Sequence, residues 1–167
     1  MNEAVRAFRE LQAEGVIRRF ALGGAAALIF YTEPVLTYDI DFFVLVDVPV
    51  GQLLSMQPIY EHLHRKGYMV VGEQILIGDA PVHVLVAYNP LVEEAVHEAR
   101  ELPFNGELVP VITPEYLIAI ALQTNRYKDR ERARLLWEQA AIDEAKLNDI
   151  LTRHGLMEVW EAVRSQQ

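Results

Sequence analysis

The sequence of 167 residues contains no cysteine and no long apolar run. The absence of cysteine excludes disulfide bonds, thiol nucleophiles and cysteine-ligated metal sites. No apolar stretch approaches the roughly 18 residues that a membrane-spanning helix needs, and charged residues occupy the N-terminus where a secretory signal would have its apolar centre. The sequence therefore predicts a soluble, cytoplasmic protein with no membrane partner.

Positive charge is also scarce. The chain has 15 lysines and arginines against 24 aspartates and glutamates, which gives a formal net charge of −9. A protein of this charge has no global positive field with which to hold a phosphate backbone, so nonspecific nucleic-acid binding is not expected. An acidic surface is compatible with a basic partner protein or with a homodimer, and no residue specifies either one.

The apolar residues, 51% of the chain, are arranged in patterns that change near residue 113. Before it, the patterns predict strands over residues 16–22, 37–46, 68–71, 74–77, 81–86, 101–104 and 108–112, with helices over 2–13, 25–31, 51–66 and 90–99. After it, they predict helices over 114–125, 128–140, 143–153 and 155–164, the first of them capped by Thr113. We therefore expect a core of residues 1–112 and a helical part of residues 113–167 packed on it.

Two short motifs carry the candidate chemistry. Gly23 and Gly24 separate an apolar strand from a helix of small residues, where backbone N–H groups can approach a phosphate. Asp39 and Asp41 lie two residues apart in an apolar run, and in a strand such residues share a face. Paired carboxylates repel each other unless a cation lies between them, and Mg²⁺ prefers carboxylate and phosphate oxygens. Together the motifs suggest a metal-bound nucleotide, the alternative being an aspartate that starts the strand and faces solvent.

The order of these motifs resembles that of the nucleotidyltransferase superfamily, whose fold is that of the polymerase β catalytic core. The resemblance rests on the glycine pair, an intervening helix, the alternating aspartates, and a late helical segment that contains residues 113–119 and 125–129. The resemblance covers about residues 16–137. Within the superfamily, the chain resembles small bacterial and archaeal members, including the toxins of type IV toxin–antitoxin systems. It implies an α+β fold, with a mixed sheet flanked by helices and a C-terminal helical segment.

The resemblance also implies roles for particular residues. Gly23 and Gly24 would form the phosphate turn, and Asp39 and Asp41 would be the catalytic ligands of Mg²⁺ or Mn²⁺. The implied reaction transfers a nucleoside monophosphate from an NTP to a hydroxyl of a small molecule, an RNA end or a protein. The alternative is a catalytically degenerate member that binds a nucleotide or a partner protein, and a toxin would have an antitoxin as its partner.

Three positions depart from the superfamily pattern. The third acid is expected on the strand at residues 81–86, where the polar residue is His83. Imidazole is a softer ligand than Mg²⁺ usually takes, so His83 is either a third metal ligand or a half-buried histidine without chemistry. Val35 and Leu36 stand where many relatives have an arginine, and Ala121 replaces a usual lysine.

A basic run at residues 126–134 offers replacements for the missing cations. Arg126 or Lys128 would bind phosphate in their place. Helical spacing puts Arg126 on one face with Arg130 and Arg134, and Lys128 on another with Arg132. The alternative is a solvated helix whose charges form internal ion pairs.

Overall fold

A computed structural model of the chain describes residues 1–48, 51 and 53–165. Within these ranges the elements are, in chain order, α1 (Asn2–Ala13), β1 (Arg19–Gly23), α2 (Gly24–Leu28), β2 (Ile40–Leu45), α3 (Gln57–Arg65), β3 (Met69–Val71), β4 (Gln74–Ile77), β5 (Ala80–Val86), α4 (Pro90–His97), β6 (Arg100–Phe104), β7 (Glu107–Val111), α5 (Pro114–Thr124), α6 (Tyr127–Gln139), α7 (Glu144–Arg153) and α8 (Met157–Ser165). None of these helices is long and apolar enough to cross a membrane.

The strands form one mixed sheet in the order β3-β4-β5-β2-β1-β7-β6. The central strand β2 runs antiparallel to β1 and parallel to β5, while β1 runs parallel to β7. At one edge, β3, β4 and β5 form an antiparallel meander. At the other edge, β6 and β7 form a hairpin whose turn residues, Asn105 and Gly106, have φ of +46° and +82°, as such two-residue turns require. The expectation of an α+β fold with a mixed sheet is confirmed.

Strand β2 is covered on both faces, and this positions the site. On one face Phe42 packs against Phe8 of α1 and Phe20 of β1, with ring centroids 4.5 and 5.3 Å away. The neighbouring residue Phe43 is also buried and points to the opposite face. Asp41 shares that opposite face. The alternation along β2 therefore places a carboxylate in largely apolar surroundings.

Several predicted boundaries are wrong for identifiable reasons. The strand predicted from residue 16 begins at Arg19, because the N–H groups of Val16 and Ile17 bond to the carbonyl of Leu11 and close α1. The helix predicted over residues 51–66 begins at Gln57 and ends at Arg65. Pro58 is its second residue, a position where the missing N–H costs no intrahelical bond. Gln52, which falls in the predicted helix, lies outside the described residues.

The helical part begins with α5, which packs against α4, α6 and α7. Its start is marked by Pro114 in the first turn, but the hydroxyl of Thr113 makes no cap bond, which corrects the predicted capping role. Side-chain caps occur on other helices, where Asn89 accepts from the N–H of Val92 and Asp143 accepts from that of Lys146, each at 3.0 Å. Buried side chains from α1 to α8 form one hydrophobic cluster. The division after residue 112 stays a prediction.

Glu94 links α4 to α7, and its loss is expected to weaken the fold in a pH-dependent way. Its carboxylate accepts two bonds from Arg153, at 2.8 and 2.9 Å, and one from the Tyr116 hydroxyl at 3.2 Å. Partial burial acts to raise the pKa of Glu94, but the bonds from Arg153 and His154 outweigh it and hold that pKa below its ordinary value. We expect Glu94→Gln to lower the free energy of unfolding by about 1 kcal/mol near neutral pH.

Urea denaturation at two pH values tests this expectation. A carboxyl whose folded pKa is lowered stabilises the fold above its unfolded pKa, and the stabilisation is lost as the pH falls through the folded pKa. The deficit of Glu94→Gln should therefore disappear in acid. Glu93→Gln, at an exposed position one residue earlier, is the matched control. A deficit of equal size at both pH values would contradict the assigned cause.

Candidate functional site

A polar row crosses four adjacent strands and consists of Asp41, His83 and Gln74, with Gly23 at one end. Asp41 on β2 is the register partner of Gly23 on β1 and of His83 on β5, and His83 is the partner of Gln74 on β4. Side chains at one level of neighbouring strands lie side by side on the same face. Strand pairing alone therefore brings Asp41 to the glycine turn and to His83.

His83 bridges the two side chains beside it. Its Nδ1 lies 3.3 Å from Oδ1 of Asp41, and its Nε2 lies 2.6 Å from Nε2 of Gln74. If the Gln74 amide nitrogen donates to Nε2, then Nδ1 carries the proton and donates to Asp41. If the amide is turned over, its oxygen accepts from Nε2–H and Nδ1 presents a lone pair. The amide orientation thus decides whether His83 is a donor to Asp41 or a ligand.

Asp41 is ionised at an energetic cost. Its side chain is 24% exposed, and burial raises the pKa of Asp41 above its ordinary value. His83 and the positive charge of Arg132 oppose this rise, while the negative charge of Asp39 adds to it. A partly buried carboxylate with a raised pKa and a like-charged neighbour is typical of sites that take a cation.

The glycine pair lets the Asp41 carboxylate and the Phe43 ring lie directly against the backbone. Gly24 has φ of +57°, and a Cβ placed there would overlap Oδ2 of Asp41 and lie 2.8 Å from its Cγ. A Cβ on Gly23 would enter the ring of Phe43 and lie 3.3 Å from Cδ1 of Ile112. Both positions therefore require glycine, Gly24 for its conformation and for space, Gly23 for space alone.

A cleft of about 680 Å³ opens beside this row, between the sheet and the helical part. Asp41, Phe43, His83 and Leu85 line its sheet side. Its helical side is mostly apolar and includes Leu117, Ile120, Ala121 and Leu136. Tyr60 and Tyr88 also line it. A mostly apolar cleft with a few converging polar groups is the usual form of a small-molecule site.

Two arginines of the basic run enter this cleft, and both are bonded to Asp129. Arg126 donates from Nε to Oδ2 at 2.7 Å, and Arg132 donates from Nη1 to Oδ1 at 3.3 Å. Both arginines and Asp129 line the cleft, whereas Lys128 is exposed and is not among the lining residues. Arg130 bonds to Asn125, and Arg134 bonds to Glu131 and to the carbonyl of Val163.

The basic run therefore forms internal ion pairs, as expected for a solvated helix. It also places two positively charged side chains, Arg126 and Arg132, at the cleft. Arg126 was predicted to bind phosphate and Arg132 was not, because the i+4 rule groups Arg126 with Arg130 and Arg132 with Lys128. The informative signal was Asp129, which lies three residues from both Arg126 and Arg132 and can bond to both.

The predicted metal ligands are only partly assembled. The structure brings Asp41 and His83 together, and Asp39 lies just before β2, near enough for its charge to act on Asp41. Across the described ranges, no group of three or more His, Asp or Glu side chains is arranged to hold a metal ion. Mg²⁺ is often held by one or two carboxylates together with substrate phosphates and waters. The carboxylate oxygens of Asp41 suit that shared mode, whereas Asp39 is not among the residues that line the cleft, and its role as a ligand stays a prediction.

Comparisons with known proteins establish the fold. The chain matches no family model, and no curated protein matches its sequence. Among solved structures, it is similar to the antibiotic-resistance factor ANT(2'')-Ia, with a TM-score of 0.53 and 17% identity over 96% of this chain and 92% of the other. It is also similar to an antigenic nucleotidyltransferase-like protein from Paracoccidioides brasiliensis, with a TM-score of 0.55 and 14% identity over 97% and 91%. The chain shares the fold of these proteins.

Proposed function

We propose that this protein is a metal-dependent nucleotidyltransferase that moves a nucleoside monophosphate from an NTP to a hydroxyl acceptor. The acceptor hydroxyl releases its proton to water, its oxygen forms a bond to the α-phosphorus, the bond from that phosphorus to the bridging oxygen breaks, and pyrophosphate leaves. The observation that carries the proposal is the placement of Asp41. Its carboxylate lies half-buried against a glycine turn with no room for a Cβ, and Arg126 and Arg132 line the same cleft.

The proposed reaction uses the two aspartates, the glycine pair and the two arginines of the cleft. Asp39 and Asp41 would hold Mg²⁺ or Mn²⁺, and the positive charge of that ion would offset the charge that develops on the leaving pyrophosphate. The missing Cβ at Gly24 lets the Asp41 carboxylate lie against the turn, and the backbone N–H groups of Gly23 and Gly24 would bind the phosphate chain beside it. Arg126 would bind phosphate from the opposite wall of the cleft. Arg132 would bind phosphate there as well, in place of the predicted Lys128.

The apolar walls of the cleft give room for the uncharged part of a substrate. Aromatic and aliphatic surfaces bind the base and sugar of a nucleotide without demanding a particular acceptor. An acceptor from any of the predicted classes would enter from the open side. A homodimer and an antitoxin partner stay predictions from the sequence, since no described contact bears on them.

Nucleotide binding and label transfer test the proposal directly. Each common NTP, labelled on the α-phosphate, would be incubated with the protein and either Mg²⁺ or Mn²⁺, and pyrophosphate release and labelled acceptor would be measured. Calorimetric titration of the same nucleotides would be repeated in EDTA. We expect the affinity for the nucleotide to depend on the metal ion, and the release of pyrophosphate to depend on an acceptor. Equal affinity in EDTA would contradict a metal-dependent site.

A nucleotide-binding protein without turnover is the second candidate, and the contact between His83 and Asp41 favours it. This histidine occupies the place where the superfamily pattern has an acid, and its Nδ1 lies 3.3 Å from one oxygen of Asp41. A neutral or protonated imidazole there adds no negative charge to the site. Metal binding would then be weak and the transfer slow.

His83→Asp separates the two candidates. A third carboxylate beside Asp41 adds a hard oxygen ligand, so we expect affinity for Mg²⁺ to rise about tenfold, measured by calorimetry. The metal-free variant should be less stable, by about 1 kcal/mol, because like charges face each other across strands. His83→Asn is the control that removes the imidazole without adding charge.

The transfer assay on the same variants completes the comparison. Turnover that appears only in His83→Asp would identify the natural protein as a binder. Turnover in the natural protein that His83→Asp leaves unchanged would favour the enzyme. Unchanged Mg²⁺ affinity in His83→Asp would contradict a metal position beside Asp41.

A further inference from the structure

We infer that Asp129 is a positioning residue that holds Arg126 and Arg132 as a preformed clamp for a polyphosphate chain, an assignment that rests on the proposed function for the identity of the ligand. The clamp lies on the helical wall of the cleft, and Asp41 lies on the sheet wall. Arg132 is close enough to Asp41 for its charge to act on that carboxylate across the cleft. A chain of phosphates between the walls would contact both.

Asp129 is the most deeply buried charged group of the cleft. Its side chain is 5% exposed, and three side-chain groups surround its oxygens. Arg126 and the Thr124 hydroxyl lie 2.7 and 2.9 Å from Oδ2, and Arg132 lies 3.3 Å from Oδ1. A buried carboxylate is tolerated only when it is paired and hydrogen-bonded. The same bonds that satisfy Asp129 therefore fix two long and otherwise flexible side chains.

The arginines keep most of their donors for a ligand. Arg126 uses only Nε and Arg132 only Nη1 in these bonds, and within the described ranges their other guanidinium nitrogens have no acceptor. A guanidinium presents its donors in a planar fork that matches two phosphate oxygens. An arginine held at one nitrogen and free at the others binds an anion with less loss of side-chain entropy.

The backbone beside Asp129 supports the same arrangement. Asn125 ends α5 in the left-handed region, with φ of +54°, so that the chain turns at Arg126 into α6. The amide oxygen of Asn125 accepts a bond of 2.7 Å from Nε of Arg130, which anchors the turn to the second turn of α6. The junction that carries Arg126 is thus bonded to α6, the helix that carries Arg132.

A purely electrostatic role and a positioning role predict opposite signs for Asp129→Asn. The substitution removes a negative charge that lines an anion site, so affinity for an anion should rise if the arginines stay in place. If Asp129 positions them, the neutral amide releases both guanidinium groups and affinity should fall. The direction of the change therefore separates the two roles without reference to stability.

Inorganic tripolyphosphate in EDTA is the probe, because it needs neither a metal ion nor catalysis. Calorimetry would compare the natural protein with Asp129→Asn, with Arg126→Gln/Arg132→Gln, and with the triple variant. We expect Asp129→Asn to weaken binding about tenfold, as is usual for residues coupled in one ion-pair network. In the background without the two arginines, Asp129→Asn should have little further effect. Glu138→Gln, an exposed acid on the same helix, is the matched control.

Several outcomes would overturn the assignment. They are absence of tripolyphosphate binding by the natural protein, equal or tighter binding by Asp129→Asn, and an equal loss with and without the arginines. If Asp129→Asn does not fold, Asp129→Glu keeps the charge and moves the carboxylate by one methylene. Unchanged affinity in that folded variant would also overturn it.

Failure of this assignment can be distinguished from failure of the proposed function. If transfer and metal-dependent nucleotide binding are absent while the tripolyphosphate results hold, the proposed function fails and the clamp remains a polyphosphate site. If transfer is present and Asp129→Asn binds tripolyphosphate like the natural protein, only the clamp fails.

Discussion

Asp41→Asn is expected to reduce metal-dependent nucleotide binding and transfer by about 100-fold or more while leaving the protein at least as stable as before. The loss follows because an amide has no charge with which to hold the cation. The stability follows because burial raises the pKa of Asp41, so that its ionised form costs free energy in the folded state. A substitution that harms only function identifies a charge retained for function.

The pH dependence of stability should change in a defined direction. The folded state binds the proton of Asp41 more tightly than the unfolded chain does, because the folded pKa is raised. Stability from this group is therefore lost as the pH rises from the ordinary carboxyl pKa through the folded one. Asp41→Asn should remove that loss in urea denaturation across the same range.

Asp79→Asn is the control for Asp41→Asn, since it makes the same charge change at an exposed position in the turn between β4 and β5. It should alter neither nucleotide affinity nor the pH profile of stability. Retained metal-dependent affinity in Asp41→Asn would remove this carboxylate from the proposed site.

Gly24→Ala is expected to produce a combined loss of stability and function. The residue has φ of +57°, which costs an alanine about 1–2 kcal/mol. Its Cβ would also overlap the Asp41 carboxylate, so either the turn or that carboxylate must move. We expect nucleotide affinity to fall about tenfold or more, because a displaced ligand of this kind loses its geometry.

Gly155→Ala is the control that separates the strain at positive φ from the overlap with the Asp41 carboxylate. Gly155 has φ of +67°, and a Cβ there would meet nothing within 4 Å. It should show a similar loss of stability in thermal or urea denaturation, with unchanged nucleotide affinity. If Gly24→Ala binds nucleotide like Gly155→Ala, then the close approach to Asp41 has no functional role.

The sequence predicts the sheet and its candidate acid better than it predicts the opposite wall of the cleft. Alternation of apolar and acidic residues identified β2, because strand periodicity is local. That His83 lies on the strand beside β2 was implied by the resemblance to the superfamily, and the structure makes it the register partner of Asp41. Asp39 was expected inside the strand, but pairing begins at Ile40, and where pairing begins depends on the neighbouring strands.

The arginine clamp was only half predicted because its organising group is a buried acid. Nothing in the sequence marks Asp129 as buried, since Thr124, Arg126 and Arg132 surround it only after α5 and α6 pack together. Composition alone predicts that a charged residue within a charged run is exposed to solvent. Similarly, Thr113 matches a capping pattern but is wholly buried, and its hydroxyl has no partner among the described residues.

The polar row also disfavours incorrect alignment of the strands during folding. If β2 paired one residue out of step, Asp41 would turn toward the face where Phe8 and Phe20 pack, and Phe42 would leave it. An unpaired carboxylate among aromatic rings costs several kcal/mol, so the misaligned sheet would be rejected. The residue placed for chemistry thereby penalises wrong pairings of the central strand, and a neutral apolar side chain at the same position would tolerate them.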